Sequence, residues 1–139
     1  MDTIHIIATF LLALIIGGMF FFAAIMTPLV FTKLPPETSG PFIRQAFPVY
    51  SQAMAGMTIL TAALLFKSAE AIHLSVVFVL FLWAWLWLTP RINRYRDAQL
   101  QGDENAEKAF NLLHRLSVGI NLMQMLAIGN VLYRVVTQS

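Results

Sequence analysis

The stretch that decides the fold is residues 4–27, IHIIATFLLALIIGGMFFFAAIMT, which contains no aspartate, glutamate, lysine or arginine. A helix needs about 20 consecutive apolar residues to cross the hydrocarbon core of a bilayer, so this run is long enough to span it. Three further helical runs lie at about residues 46–66, 71–88 and 104–135. The pattern predicts an all-α protein with a single domain, residues 1–139, folded as an antiparallel four-helix transmembrane bundle.

The composition agrees with this class and excludes several others. Hydrophobic residues make up 58% of the chain and charged residues 12%, against about 25% charged residues in soluble domains. The chain has no cysteine, which excludes disulfides, thiolate metal ligands and cysteine nucleophiles. A net charge of +2 gives no indication of a nucleic-acid partner. No Ser/His/Asp or HExxH pattern is present, so enzymatic activity is not expected.

The distribution of charge predicts an orientation. Seven of the nine lysine and arginine residues fall on the side opposite the two termini. The positive-inside rule makes that side cytoplasmic and places both termini outside. We therefore expect an integral protein of the bacterial inner membrane, working as a homo-oligomer or within a larger membrane complex. The seven residues are Lys33, Arg44, Arg91, Arg94, Arg96, Lys108 and Arg115.

An acidic residue and a histidine open the first and third runs with the same spacing. Asp2 precedes His5 by three residues, and Glu70 precedes His73 by three, so each pair shares one helix face. Two imidazoles and two carboxylates can bind zinc, iron or copper. Alternatively, His5 and His73 are the two axial ligands of a haem. The structural alternative is that the acidic residues complement the helix dipole and the histidines lie at the interface.

A stripe of polar side chains follows one face of the fourth run, with spacings of three, four and three residues. The stripe consists of His114, Ser117, Asn121 and Gln124. An amide at membrane depth is costly without a partner, so the stripe is expected to face the bundle. The expected partners on the second run are Ser51, Gln52 and Thr58. The stripe then serves either to fix the helix register or as a polar path or ligand pocket entered from the cytoplasm.

Three arginines follow the third run at the level of the lipid headgroups. Arg91, Arg94 and Arg96 stand just beyond Trp83, Trp85 and Trp87, in a position to bind anionic lipid. Anchoring of the topology explains the same arginines equally well.

Six short motifs carry a resemblance to a known family. They are residues 17–22 (GGMFFF), 28–31 (PLVF), 34–36 (LPP), 47–50 (FPVY), 89–93 (TPRIN) with Arg96 and Asp97, and 113–117 (LHRLS) with Asn121. In this order they resemble the transmembrane protein 205-like family. The resemblance implies a four-helix integral membrane protein, and it implies no defined biochemical role.

A fainter similarity rests on His5 followed by Gly17 and Gly18 in the first run. This arrangement resembles the copper-resistance D and HemJ-type membrane proteins, which implies handling of copper or haem. The leading hypothesis is a small membrane protein that binds a ligand, in its sharpest form haem or a transition metal, within the bundle or at its outer end. The alternatives are a structural or assembly subunit and a small oligomeric transporter.

Overall fold

Four long helices make up almost all of the computed structural model, which describes residues 2–138. They are α1 (Thr3–Lys33), α2 (Pro36–Leu64), α3 (Glu70–Leu100) and α4 (Glu104–Thr137). The all-α prediction is confirmed. Within the described residues, α1, α3 and α4 are long and apolar enough to cross a membrane. By length and composition, the chain is a membrane protein.

Helix α2 is as long as a membrane span but more polar, and several of its polar side chains lie inside the bundle. Ser51, Thr58 and Thr61 are buried against the other helices, whereas Val49 and Leu60 are exposed. Polar groups inside and apolar groups outside are what a helix needs when its surroundings are lipid.

The helices extend beyond the apolar runs of the sequence. Helix α1 continues through Pro28 to Lys33, six residues past the predicted end. Helix α2 begins at Pro36, a position that suits proline because the first helical N–H needs no acceptor inside the helix. Helix α3 continues to Leu100, so its charged C-terminal part is a direct extension of the apolar part.

Two of the helices contain a π-helical segment. These segments are Phe21–Met26 in α1 and Ala84–Leu88 in α3. Each is followed at once by a Thr-Pro pair, with the prolines at Pro28 and Pro90. Proline has no N–H to donate, and its ring clashes with the carbonyl four residues back, so the turn before it widens.

The hydrogen bonds of the wide turns have the π pattern. Thr27 N–H donates to the carbonyl of Phe22, and Thr89 N–H donates to that of Ala84, five residues back in each case. The Thr89 hydroxyl also donates to the Ala84 carbonyl, at 2.7 Å. Both wide turns are therefore stabilised by bonds of their own.

The apolar core lies where the four helices meet. Helices α1 and α3 each contact both α2 and α4. The fully buried apolar side chains include Leu12, Ile15, Met19, Leu74, Phe81, Ile128 and Val131. This core positions the polar residues described next.

Candidate functional site

A small cavity lined by both polar and apolar side chains lies between α2, α3 and α4. Its polar lining consists of Tyr50, Ser51, Ser117, Asn121 and Gln124. Its apolar lining consists of Phe47, Phe81, Ala84 and Ile120. The free volume is about 20 Å³, which is room for about one water molecule. A cavity of this size offers hydrogen-bonding groups to about one water molecule.

Tyr50 connects the cavity to three helices. Its hydroxyl donates a hydrogen bond of 3.0 Å to Asn121 Oδ1 on α4. Its ring is only 8% exposed and stacks on Phe22 of α1, with 4.3 Å between centroids. Asn121 Nδ2 is 3.9 Å from the sulfur of Met125, a weak contact. Stacking on Phe22 therefore holds the Tyr50 ring in place. The side-chain N–H groups of Asn121 have only the weak contact with Met125.

Ser51 is a buried hydroxyl residue of α2. Its Oγ is buried and has no hydrogen-bond partner among residues 2–138. Six other helical hydroxyls each donate to the carbonyl four residues back. The residues that do so are Thr9, Thr32, Thr58, Thr61, Ser75 and Thr137. An unsatisfied buried hydroxyl costs about 1–3 kcal/mol, so the Ser51 position favours a partner from outside the chain.

Gln124 closes the inner end of the cavity. It is 3% exposed, and its Nε2 donates a hydrogen bond of 3.1 Å to the backbone carbonyl of Val77 on α3. The stripe thus passes from exposed His114, whose ring stacks on Phe110, through half-buried Ser117 and Asn121 to buried Gln124. Three of the four predicted stripe residues, Ser117, Asn121 and Gln124, line the cavity. His114 lies at the exposed end of the stripe.

The predicted partners of the stripe on α2 behave differently from one another. Ser51 lines the cavity with the stripe. Gln52 is exposed, and the Thr58 hydroxyl donates to the Met54 carbonyl of its own helix at 2.7 Å. The interhelical partner of Asn121 is instead Tyr50, which the sequence analysis included only in a family motif.

One π-helical segment lines the cavity, and the other contacts a residue of its lining. Phe22 of the first segment stacks on Tyr50, and Ala84 of the second lines the cavity wall. Such segments occur frequently at functional sites in proteins. These segments are not among the elements predicted from the sequence, although the repeated Thr-Pro pair was the available signal.

The two acid–histidine pairs, at the end of the molecule that holds the termini, make separate contacts. Asp2 caps α1 by accepting from the His5 N–H at 2.8 Å, and its Oδ1 lies 2.6 Å from His5 Nδ1. His73 Nδ1 lies 3.1 Å from the carbonyl four residues earlier, and Glu70 lies 3.8 Å from Arg134. Over residues 2–138, no group of three or more His, Cys, Asp and Glu side chains could hold a metal ion. The predicted four-ligand metal site gains no support, and haem ligation by the two histidines stays a prediction.

The three arginines of the headgroup prediction lie on the C-terminal part of α3. Arg91 is half-buried, and Arg94 and Arg96 are exposed. Arg96 Nη1 donates to Gln99 Oε1 at 3.2 Å. These side chains stand at the same end of the molecule as the exposed end of the polar stripe, because Arg96 also lies over Phe110 at 5.3 Å.

Comparison with known proteins gives one family match. The model of a family described as "Domain of unknown function (DUF4149)" matches residues 10–101, which include most of α1 and all of α2 and α3. No curated protein and no solved structure matches the chain significantly. Tyr50 and Ser51 lie inside the matched segment, and the α4 side of the cavity lies beyond it.

Proposed function

We infer the function of this chain from its own residues, because it belongs to the DUF4149 family, whose domain has no assigned function. We propose that it binds a small, neutral, hydrogen-bonding molecule between α2, α3 and α4. The observation that carries this proposal is the buried, unpaired hydroxyl of Ser51 in the cavity that Tyr50 and Asn121 also line. A ligand or water that accepts from Ser51 would relieve the cost of that buried hydroxyl and could also bond to the amide of half-buried Asn121.

The chemistry of the lining favours a neutral ligand over an ion or a metal. The cavity offers hydroxyl and amide groups and includes no charged side chain. Transition metals prefer imidazole, thiolate or carboxylate ligands, which this lining lacks. The free volume of about 20 Å³ is also far too small for a macrocycle. A ligand larger than water requires the walls to move, and the two π-helical turns beside the cavity are the natural places for that movement.

The topology that goes with this proposal is an antiparallel bundle entered from the cytoplasm. Along α3 and α4 the contacts pair Arg96 with Phe110 and Glu70 with Arg134, so residue numbers fall on one helix as they rise on the other. That order supports antiparallel packing. The excess of basic residues at the Arg96 end supports a cytoplasmic location for it, with both termini outside. The exposed end of the polar stripe then faces the cytoplasm.

A structural role is the second candidate, and one observation favours it. The Tyr50–Asn121 bond and the bond from Gln124 to Val77 already join helices, as register-setting contacts would. A structural role does not require the Ser51 hydroxyl, whereas the proposed ligand binding requires it.

The path to the cavity can be tested with single cysteines, because the natural chain has none. Ser117→Cys stands in the stripe, and Val118→Cys is its matched control on the apolar surface, where Val118 is 56% exposed. A membrane-impermeant cationic methanethiosulfonate reagent reacts with thiolate, which requires water around the thiol. We expect labelling of Ser117→Cys in inverted vesicles and none of Val118→Cys. Equal labelling of both, or labelling of Ser117→Cys only in right-side-out vesicles, would contradict the proposal.

Binding itself is tested by thermal stability in detergent with acetamide, formamide and glycerol as probes. A bound molecule raises the melting temperature in proportion to RT ln(1 + [L]/Kd). We expect at least one probe to stabilise the natural protein and the control Ser75→Ala, but not Ser51→Ala. Ser75 is a suitable control because its hydroxyl donates to the Ala71 carbonyl of its own helix. The same response of the natural protein and Ser51→Ala to all three probes would sink the proposal.

A further inference from the structure

Helix α4 has a long face that the other helices leave exposed. Of the three helices long and apolar enough to cross a membrane, α4 has the smallest buried share in its most apolar segment, 17% against 22% in α1 and 28% in α3. Between Arg115 and Arg134 the helix carries no charged residue. This segment is about 28 Å long, close to the thickness of the hydrocarbon core of a bilayer, which is about 30 Å. The exposed face therefore lies at membrane depth.

The exposed positions of this segment have a heptad spacing. Six of them stand three, four, three, four and three residues apart, which is the 3.5-residue period of two helices packed in a left-handed pair. The face that they form lies opposite the polar stripe, because Gly119 and Asn121 are separated by about 200° around the helix axis. We call this face the α4 seam, and it consists of Leu116, Gly119, Met123, Leu126, Asn130 and Tyr133.

Asn130 is a polar residue within this apolar seam. Its side chain is exposed and makes no hydrogen bond within residues 2–138. It lies about 6 Å on the membrane side of Arg134, at a depth where an amide without a partner is costly. The amide of Gln124, on the inner face of α4, is by contrast bonded to the carbonyl of Val77. Asn130 therefore favours a partner from outside the chain.

Gly119 is a second seam residue that packing within the chain does not explain. It is exposed, and a Cβ at this position would meet nothing within 4 Å. Glycine inside a helix is less stable than alanine, so its presence here has a cost. In a membrane that cost is offset where a second helix approaches closely, since a missing Cβ lets the two backbones come together.

We propose that the α4 seam packs against the α4 seam of a second copy of this chain, as a parallel, left-handed helix pair. Two copies inserted with the same orientation are related by a twofold axis along the membrane normal, and equal positions of the two helices then meet on it. The two Asn130 side chains face each other there.

The seam is complementary in charge to its own copy. A carboxamide has an oxygen that accepts and an NH₂ group that donates, so two Asn130 side chains can bond to each other. The seam contains no charged residue, so two copies meet without like-charge repulsion. One polar residue in an otherwise apolar seam also fixes the register and the number of helices. This interface is separate from the cavity, and it does not depend on ligand binding there.

Disulfide crosslinking of single cysteines in native membranes tests the interface, because the natural chain has no cysteine. A disulfide requires Cα atoms about 4.4–6.8 Å apart, which only positions close to the axis approach. We expect Leu126→Cys to form a covalent dimer on oxidation with copper phenanthroline. Val79→Cys on α3 is the matched control and should stay monomeric, since Val79 is 58% exposed and lies at a similar distance from the Glu70–Arg134 pair.

Two outcomes of the crosslinking would overturn the proposal. One is the same yield of covalent dimer from Leu126→Cys and Val79→Cys, whether high or zero. The other is a product of Leu126→Cys with the mass of a different protein, which would identify the seam as an interface with another partner.

The contribution of Asn130 is measured by the dissociation constant of the dimer in lipid vesicles, from energy transfer between labelled copies at increasing dilution in lipid. We expect Asn130→Leu to raise this constant about threefold to twentyfold, and Asn130→Gln, which keeps the amide, to have a smaller effect. Gly119→Ala should raise it too, whereas Gly17→Ala, at an exposed glycine of α1 with equal free space, should not. A constant that is unchanged in Asn130→Leu, or that responds equally to the two glycine variants, would contradict the proposed seam.

Discussion

The hydroxyl of Tyr50 donates to Asn121 Oδ1 across 3.0 Å, and the same side chain stacks on Phe22. Tyr50 of α2 thereby joins α1 and α4 beside the cavity between α2, α3 and α4. In lipid no solvent competes for such a hydrogen bond, but a partly unfolded membrane chain also finds partners, so the net gain is modest.

A double-mutant cycle should measure this bond. Tyr50→Phe keeps the stacked ring and removes the hydroxyl, and Asn121→Leu removes the acceptor. We expect a coupling free energy of about 0.6 kcal/mol, with an upper bound near 1.7 kcal/mol, in reversible unfolding from mixed micelles. Tyr133→Phe is the control, since Tyr133 is 68% exposed and its hydroxyl makes no bond within the described chain. A coupling of zero would mean that the bond does not form in the membrane protein.

Two adjacent glycines of α1 should respond differently to alanine. A Cβ at Gly18 would meet Met54 Cε at 2.8 Å, whereas a Cβ at Gly17 has nothing within 4 Å. Gly18→Ala should be less favourable than Gly17→Ala by up to about 1 kcal/mol, because the flexible end of Met54 must move aside. Gly17→Ala should be neutral or stabilising by up to about 1 kcal/mol, since alanine favours helix over glycine. Equal melting temperatures for the two variants would contradict the close contact at Gly18.

The sequence predicted those parts of the fold that depend on one helix at a time. Long apolar runs predicted the membrane helices, and the three-four-three spacing placed Ser117, Asn121 and Gln124 on one face. Contacts between helices depend on how each helix is rotated, and a single sequence does not determine that rotation. Tyr50 was therefore not foreseen as the partner of Asn121.

The glycine pattern and the prolines show the same limit. Ala13 and Gly17 have the spacing of a close helix contact, yet both are exposed and Gly18 makes the contact instead. Pro28 directly follows the apolar run that ends at Thr27, but the π-helical turn before it lets the helix continue. Whether proline ends a helix or widens it depends on the packing of the next turn, which local propensity does not describe.

The Asp2 carboxylate, which caps the N-terminus of α1, should become protonated only at low pH. The backbone N–H of His5, followed by its ring, lowers the pKa of the Asp2 carboxyl below its ordinary value of 3.8. A carboxyl whose pKa is lowered by folding stabilises the helix above the unfolded pKa and loses that effect as pH falls through the folded pKa. The amide signal of His5 in NMR should thus titrate with a midpoint below 3.8.

Variants of Asp2 separate charge from capping. Asp2→Asn keeps a side-chain acceptor and should abolish the titration without fraying the first turn. Asp2→Ala should fray that turn at every pH. A midpoint at or above 3.8 in the natural protein would contradict the cap.

The wide turn of α3 should depend on its proline. Pro90→Ala supplies an N–H that can donate to the carbonyl of Leu86, so Ala84–Leu88 can close to an ordinary α-helical turn. We expect hydrogen exchange of the amides in this segment to slow by about tenfold in detergent, equivalent to about 1.4 kcal/mol of added protection. Pro36→Ala is the matched control, because proline at the first position of α2 replaces an N–H that has no acceptor within the helix. Exchange that is unchanged in Pro90→Ala, or slowed equally by Pro36→Ala, would show that packing against the cavity, rather than the proline, maintains the wide turn.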